Sequence, residues 1–294
     1  MKSNLRTYRV AGFYFSVENM PFELNNLQPF LAQDCDGEII FTLKVADRLP
    51  DEEGENIYKT IEKPGLPVFN VFKVPSGHLF EYQPLPGKPV AGRMLVADDF
   101  RSASLVLTGS ADQFGLNNSL MLLFSFATAC RGALEMHSSV VTKDGRGYLF
   151  LGKSGTGKST HSQLWLNNIP GTELLNDDNP ILRLMPDSTV RVYGSPWSGK
   201  TPCYKSKDAE VGAIVQLKQA PYNKIERMSV IQSYISLMES ASSFRPFKAL
   251  ADGWHKTMEG VCGTTAFYLL ECLPDRDAAL LCYKTTVNGK QDPA

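Results

Sequence analysis

The chain has 294 residues, 43% hydrophobic and 21% charged, which is the balance of a globular protein long enough for two cores. Thirty basic residues against 31 acidic ones leave a net charge of −1, so no overall field draws it to nucleic acid. The six cysteines form no C-x-x-C pair and no zinc-type spacing with the four histidines, which fits reduced thiols rather than a metal knuckle.

Lys2, Arg6 and Arg9 precede a short apolar run at 10–17, a faint echo of a secretory leader. Glu18 follows at once and no small-x-small cleavage site is present. The longest apolar run, at 120–130, is too short to cross a bilayer. The expectation is a cytoplasmic protein with no membrane partner. Runs at 8–17, 38–45, 67–74, 78–82, 93–97 and 104–107 are rich in β-branched and aromatic residues and are separated by Pro, Gly, Asn and Asp. They read as strands of a β-rich first domain, 1–112, that carries no chemical motif. The acidic stretch 47–62 reads as an exposed loop, and His78 as an ordinary strand or turn residue.

A segment apolar on nearly every side, 117–134, reads as a helix buried on several faces and as the first core helix of a second domain, 113–294. A strand at 136–142 leads to Asp144-Gly145, a two-residue hairpin signal between apolar runs. That turn pairs Thr142 with Gly147 and Val140 with Leu149, and continuing the register puts His137 opposite Gly152.

The apolar strand 148–151 then runs into Gly152-Lys153-Ser154-Gly155-Thr156-Gly157-Lys158-Ser159-Thr160, with a helix expected over 158–168. Strand, glycine-rich loop and helix together are the setting of a phosphate-binding P-loop. Glycines let several amide N–H groups converge on one anion, and the helix dipole adds to the attraction. In this setting Lys158 reaches the β- and γ-phosphates of ATP, and the Ser159 hydroxyl ligates Mg2+.

The next strand, 172–176, ends in Asp177-Asp178-Asn179. A right-handed crossover makes it parallel to the strand before the loop, so the Asp pair and the loop leave one edge of the sheet. One carboxylate then serves Mg2+ and the other accepts a proton from an attacking hydroxyl. An Asx turn is the plain structural alternative. Further on, Gly194-Ser195-Pro196-Trp197-Ser198-Gly199-Lys200-Thr201 also satisfies the Walker A pattern letter for letter. Pro202 and a polar run follow it where a helix is required, so it reads as a loop that carries Lys200 and Trp197 toward the same pocket. Strands are expected at 180–185, 190–193, 210–217 and 265–271, and helices at 230–238, 244–258 and 275–283, with Trp254 in the core. The fold class is α/β (α+β overall), with a mixed sheet around the loop.

The order His-Ser-Ser-Val-Val, Asp-Gly hairpin, Gly-Lys-Ser-Gly-Thr-Gly-Lys-Ser-Thr and Asn-Asp-Asp resembles the C-terminal catalytic domain of HPr kinase/phosphorylase. It is similar, more distantly, to ATP-dependent phosphoenolpyruvate carboxykinase. The resemblance implies a kinase domain in which His137, the loop Gly152 to Thr160, Asp177 and Asp178 serve phosphate, magnesium and acceptor hydroxyl. Such relatives are hexameric, so the resemblance makes a homo-oligomer worth testing for, while the sequence leaves the oligomeric state open. Thr160 and His161 stand where HPr kinases carry an acidic residue, and the first domain is unlike theirs. The acceptor is thus left open among a protein serine, a peptide and a small hydroxy compound. A nucleotide-binding regulatory or assembly module without transfer, and a simple ATPase, are the alternatives.

Overall fold

Ala11 and Gly12 both take positive φ, 49° and 81°, the two-residue turn that suits strands of right-handed twist. The stretch 8–17, expected as one strand, is therefore a hairpin of β1 (Leu5–Val10) and β2 (Phe13–Glu18). The computed structural model describes residues 4–199, 201–242 and 246–288. They fall into two units, 4–128 with 246–248, and 129–242 with 249–288.

In the first unit follow β3 (Ile39–Val45), β4 (Glu55–Lys59), β5 (Val68–Val74), β6 (Gly77–Gln83), β7 (Gly92–Val96) and β8 (Ser102–Leu107). Among the described residues they form an eight-stranded sheet in the order β1-β2-β3-β8-β7-β6-β5-β4. The β4 strand lies inside the acidic stretch expected as a loop. All five of its residues are exposed, and such a polar strand is tolerated because it sits at the edge. The apolar helix α1 (Asp112–Thr128) packs on β3, β6, β7 and β8. Phe124 meets the rings of Phe13 and Phe15, and Phe126 that of Phe80. This helix, expected to open the second domain, belongs to the first unit, and the boundary moves from 112 to 128. Its aromatic side chains match the buried face of the first sheet, which needs such a cover.

The second unit contains β9 (Ala133–Glu135), β10 (Ser138–Lys143), β11 (Arg146–Leu151), α2 (Lys158–Asn168), β12 (Glu173–Asp178), β13 (Ile181–Leu184) and β14 (Val190–Tyr193). It continues with β15 (Asp208–Gln219), β16 (Lys224–Arg227), α3 (Val230–Ser240), α4 (Lys248–Thr264), β17 (Phe267–Cys272) and α5 (Arg276–Asn288). The sheet is mixed, in the order β12-β10-β11-β15-β14-β13-β9, with β17 joined to β15 and β16 to β17. Asp144 and Gly145 take φ of 51° and 74°. The hairpin has the expected register, Thr142 with Gly147 and Val140 with Leu149.

The strand β12 pairs antiparallel with the far side of β10, Ser139 facing Asp177 and Ser138 facing Asp178. As β10 is also antiparallel to β11, the strands β11 and β12 run parallel, with β10 between them. Three chain segments therefore meet at one edge: the end of β11, the end of β12 and the residue before β10. Beneath that edge α2 and α5 pack together. Trp165, fully buried, contacts Tyr148, Phe150 and Tyr283 through centroids 5.0, 5.5 and 5.6 Å away. Burying a ring of that size stabilises the unit by a few kcal/mol and fixes α2 against the sheet. Trp254, on α4, is buried as well.

Candidate functional site

The loop after β11 is shaped by three glycines at positive φ, Gly152 at 149°, Gly155 at 82° and Gly157 at 109°. A Cβ on Gly155 or Gly157 would meet nothing within 4 Å, so it is the backbone conformation, not space, that calls for glycine there. Thr156 closes the turn by donating its N–H and its hydroxyl to the Lys153 carbonyl, at 3.1 and 2.7 Å. Gly157 stands at the N-cap of α2 and supplies no side-chain acceptor to the first turn. By contrast, α3 is closed by a full capping box of Ser229 and Gln232. An uncapped helix start leaves orphan N–H donors aimed at the loop, which is the requirement for binding an anion.

Lys158 folds back over this turn and donates from Nζ to the Gly152 carbonyl at 2.8 Å. Burial holds its pKa below the ordinary lysine value, while the charges of Asp178 and Asp177 pull it back up. Ser159 donates its hydroxyl to Asp177 Oδ1 at 3.0 Å. Asp177 is only 6% exposed. His137 Nδ1 lies 2.8 Å from Asp178 Oδ1, and its backbone N–H donates to the Ser240 carbonyl at 2.6 Å. The backbone that carries the imidazole is thus anchored from α3, while the ladder of β10 begins one residue later. Burial, the largest influence on Asp178, raises its pKa. The hydrogen bond and charge of His137, the charge of Lys158 and a bond from Asn179 together outweigh it and leave the value below the ordinary range. Asp178 is therefore a carboxylate at neutral pH.

These groups line one cavity of about 390 Å³, bounded by His137, Ser154, Gly155, Lys158, Ser159, Thr160, Asp177, Asp178 and Gly199. Lys153 and Thr156 lie on its far rim, lining a neighbouring depression. Ser159 and Asp177 offer a hydroxyl and a carboxylate, oxygen donors of the kind a magnesium ion accepts alongside phosphate oxygens. Among the described residues no group of three or more His, Cys, Asp or Glu side chains could hold a metal by itself. Lys200 lies outside the described residues. Trp197, expected to face the pocket, is 2% exposed and part of the core; an indole of its size is better buried than placed beside charge.

Several supports had no signal in the sequence. Asn176 is fully buried and donates to the carbonyl of Trp197 at 3.1 Å and the hydroxyl of Ser195 at 3.3 Å, while its Oδ1 accepts from the N–H of Asn179 at 3.0 Å. This clasp holds Asp178 at a φ of 134°, a region closed to most residues with a Cβ and sustained only by its surroundings. Gly199 closes against it: a Cβ there would come within 3.0 to 3.2 Å of Asp178 Cβ, Oδ2 and Cγ. Glu135 is fully buried, and its Oε1 has no partner among the described residues. Burial first and the charge of Asp178 second raise its pKa to about 8.

No family model matches the chain, and no curated protein matches it. Among solved structures the chain is similar to the Hpr(Ser) kinase/phosphatase from Coxiella burnetii, at 14% identity over 53% of this chain and 95% of that one, with a TM-score of 0.30. That is a weak likeness of fold and adds nothing to the geometry. No described helix is long and apolar enough to cross a membrane.

Proposed function

We propose that the second unit is an ATP- and Mg2+-dependent kinase of the HPr-kinase-like type that transfers the γ-phosphoryl group to a hydroxyl acceptor. The observation that carries the reading is the single cavity shared by the uncapped glycine loop and the His137–Asp178 pair. A phosphate site alone would fit any nucleotide binder. An ionised carboxylate facing it, oriented by an imidazole, fits proton removal.

In this reading the polyphosphate lies in the loop, with Lys158 leaving the Gly152 carbonyl to meet the β- and γ-oxygens. Ser159 and Asp177 would hold Mg2+, which would supply neutralisation of the charge on the phosphates. The acceptor hydroxyl loses its proton to Asp178 as its oxygen bonds to the γ-phosphorus, and the bond from that phosphorus to the β–γ bridging oxygen breaks, leaving ADP. His137 keeps Asp178 turned toward the acceptor. An acceptor on a protein, a peptide or a small molecule suits the open side of the cavity equally.

The test is phosphoryl transfer from γ-labelled ATP with magnesium to fractionated protein and metabolite extracts, with Lys158→Ala as the blank. A labelled product made only by the native chain is expected and identifies the acceptor class. Release of free phosphate alone points to an ATPase. Binding without turnover points to a regulatory nucleotide module. Mg-ATP at a hundredfold excess over Kd should stabilise the native chain by about 2.7 kcal/mol and Lys158→Ala hardly at all. An equal shift in both would remove the loop from the site.

A further inference from the structure

Behind the phosphate cavity lies a second one, of about 560 Å³, a volume within the range of small-molecule pockets. Gly155, Gly157 and Thr160 line both cavities, so the two meet across the glycine turn. The chemistry differs on the two sides. The first holds Lys158, His137, Asp177 and Asp178; the second is walled by Leu164, Leu217, Ala220, Leu273 and Pro274, and no Asp, Glu, Lys or Arg lines it. His161 adds a ring but no charge. It accepts a hydrogen bond from Trp165 Nε1 at 3.1 Å, sits edge-on to Phe150, and burial pushes its pKa down to about 4.

A P-loop fixes the direction of a nucleotide: its lysine reaches the β- and γ-phosphates, and the loop amides cradle the α- and β-phosphates. With the γ-end at Lys158 and Asp178, the nucleoside leaves on the side of Thr160. That is the side on which the apolar cavity opens. A flat aromatic base fits a slot walled by aliphatic side chains, and an anionic or strongly hydrated group does not.

The carboxamide on this wall, that of Gln219, is placed to read the base once its bonds to the glycine turn are exchanged. Gln219 Nε2 makes only long contacts, 3.3 Å to the Gly155 carbonyl and 3.4 Å to the Thr156 carbonyl. A carboxamide offers one donor and one acceptor side by side. Adenine matches that pattern with its N6 amino group and adjacent N7, whereas guanine shows two acceptors on the same edge and calls for Arg or Lys. We propose that the apolar cavity is an adenine pocket and that Gln219 is its specificity-determining residue, selecting ATP over GTP. The inference rests on the polyphosphate reading of the loop given above.

Calorimetric titration of the full chain with Mg-ATP, Mg-GTP and inorganic tripolyphosphate tests it and separates it from that reading. The native chain should prefer ATP to GTP by about tenfold or more, the worth of one bidentate contact. Gln219→Leu should bring the ratio near one. Leu273→Trp, at an exposed position and filling the slot, should weaken both nucleotides by about tenfold. Tripolyphosphate affinity should be unchanged in Leu273→Trp and should fall by no more than a few-fold in Gln219→Leu, whose side chain also bonds the loop carbonyls, which reports that both are folded. Equal affinity for ATP and GTP in the native chain, or a preference untouched by Gln219→Leu, overturns the adenine pocket while the phosphate site stands. Tripolyphosphate binding that survives Lys158→Ala overturns the phosphate site, and the pocket with it.

Discussion

Two segments of this chain spell the same eight-residue pattern, Gly152 to Ser159 and Gly194 to Thr201, and the structure uses them for opposite ends. The first leaves a buried parallel strand and opens a helix, so its glycines turn amides outward around a cavity. The second follows an antiparallel strand, and its two glycines lie against other parts of the chain. A Cβ on Gly194 would come within 2.1 Å of the Lys205 carbonyl, and Gly199 donates its N–H to the Asp177 carbonyl at 2.7 Å. The loop glycines shape the ligand cavity; Gly194 makes room for the neighbouring chain, and Gly199 makes room for Asp178 at the cavity's edge. The letters of a motif state which conformations are open. The flanking strand and helix decide whether any donor is left over to bind an anion.

If the second segment serves only to seat Asp178, then Asp178→Asn should give the largest split between binding and chemistry. Asparagine has the shape of aspartate, and the Asn176 clasp that imposes the φ of 134° is untouched, so the turn survives. Transfer should fall by about 10²- to 10⁴-fold, the usual worth of a general base. Mg-ATP affinity should stay within about tenfold of native, since the loop holds the phosphates. Single-turnover transfer and equilibrium titration on one preparation measure both, with circular dichroism to exclude unfolding. A parallel fall in affinity would mean that Asp178 belongs to the phosphate cradle.

The same contrast explains what was legible in the sequence. The loop, the hairpin turn and the helix after them were readable because each rests on local chemistry: glycines at positive φ, Asp144-Gly145, an apolar strand. From these the register brought His137 close to the loop, although its backbone partner is Ser240, a contact from a helix a hundred residues on. Asn176 and Ser195 were visible only as letters of motifs and Glu135 not at all, because the contacts that give them their roles come largely from neighbours distant in sequence. The helix α1 misled for a related reason. An apolar surface says that a helix is buried, and only tertiary packing says against which sheet.

Glu135 sharpens the comparison from the other side of Asp178. Its carboxyl is raised from 4.5 to about 8 by burial and by the charge of Asp178, so the folded chain binds a proton there that the unfolded chain releases. This contribution to stability is complete below about pH 4.5 and is lost as pH rises through about 8. Glu135→Gln keeps the shape and removes the titration. It should be more stable than native by a few kcal/mol at pH 8.5 and nearly equal to it at pH 4.5. Urea unfolding midpoints across that interval measure the difference. A pH-independent offset would mean that Glu135 is ionised at all these pH values, with a partner not seen among the described residues.

The smallest expected effect tests the second segment directly, through Gly199→Ala. The added methyl would sit 3.0 to 3.2 Å from Asp178 Cβ, Oδ2 and Cγ, closer than ordinary contact by a few tenths of an ångström. Since Asp178 is already held at an unfavourable φ by Asn176 and the backbone bonds around it, the carboxylate must yield more than the backbone. Its line to His137 Nδ1 then shifts. A displacement of that size in a base costs about tenfold in transfer, roughly 1.4 kcal/mol, and nothing in ground-state binding. The kcat of Gly199→Ala should therefore fall about tenfold with the KM for ATP unchanged. Gly155→Ala should do the reverse: its methyl meets no atom but strains a φ of 82° by about 1–2 kcal/mol, and the loss appears in ATP affinity. If both variants raised KM alike, the two glycine segments would share the phosphate, and the distinction between ligand-facing and chain-facing glycines would fail.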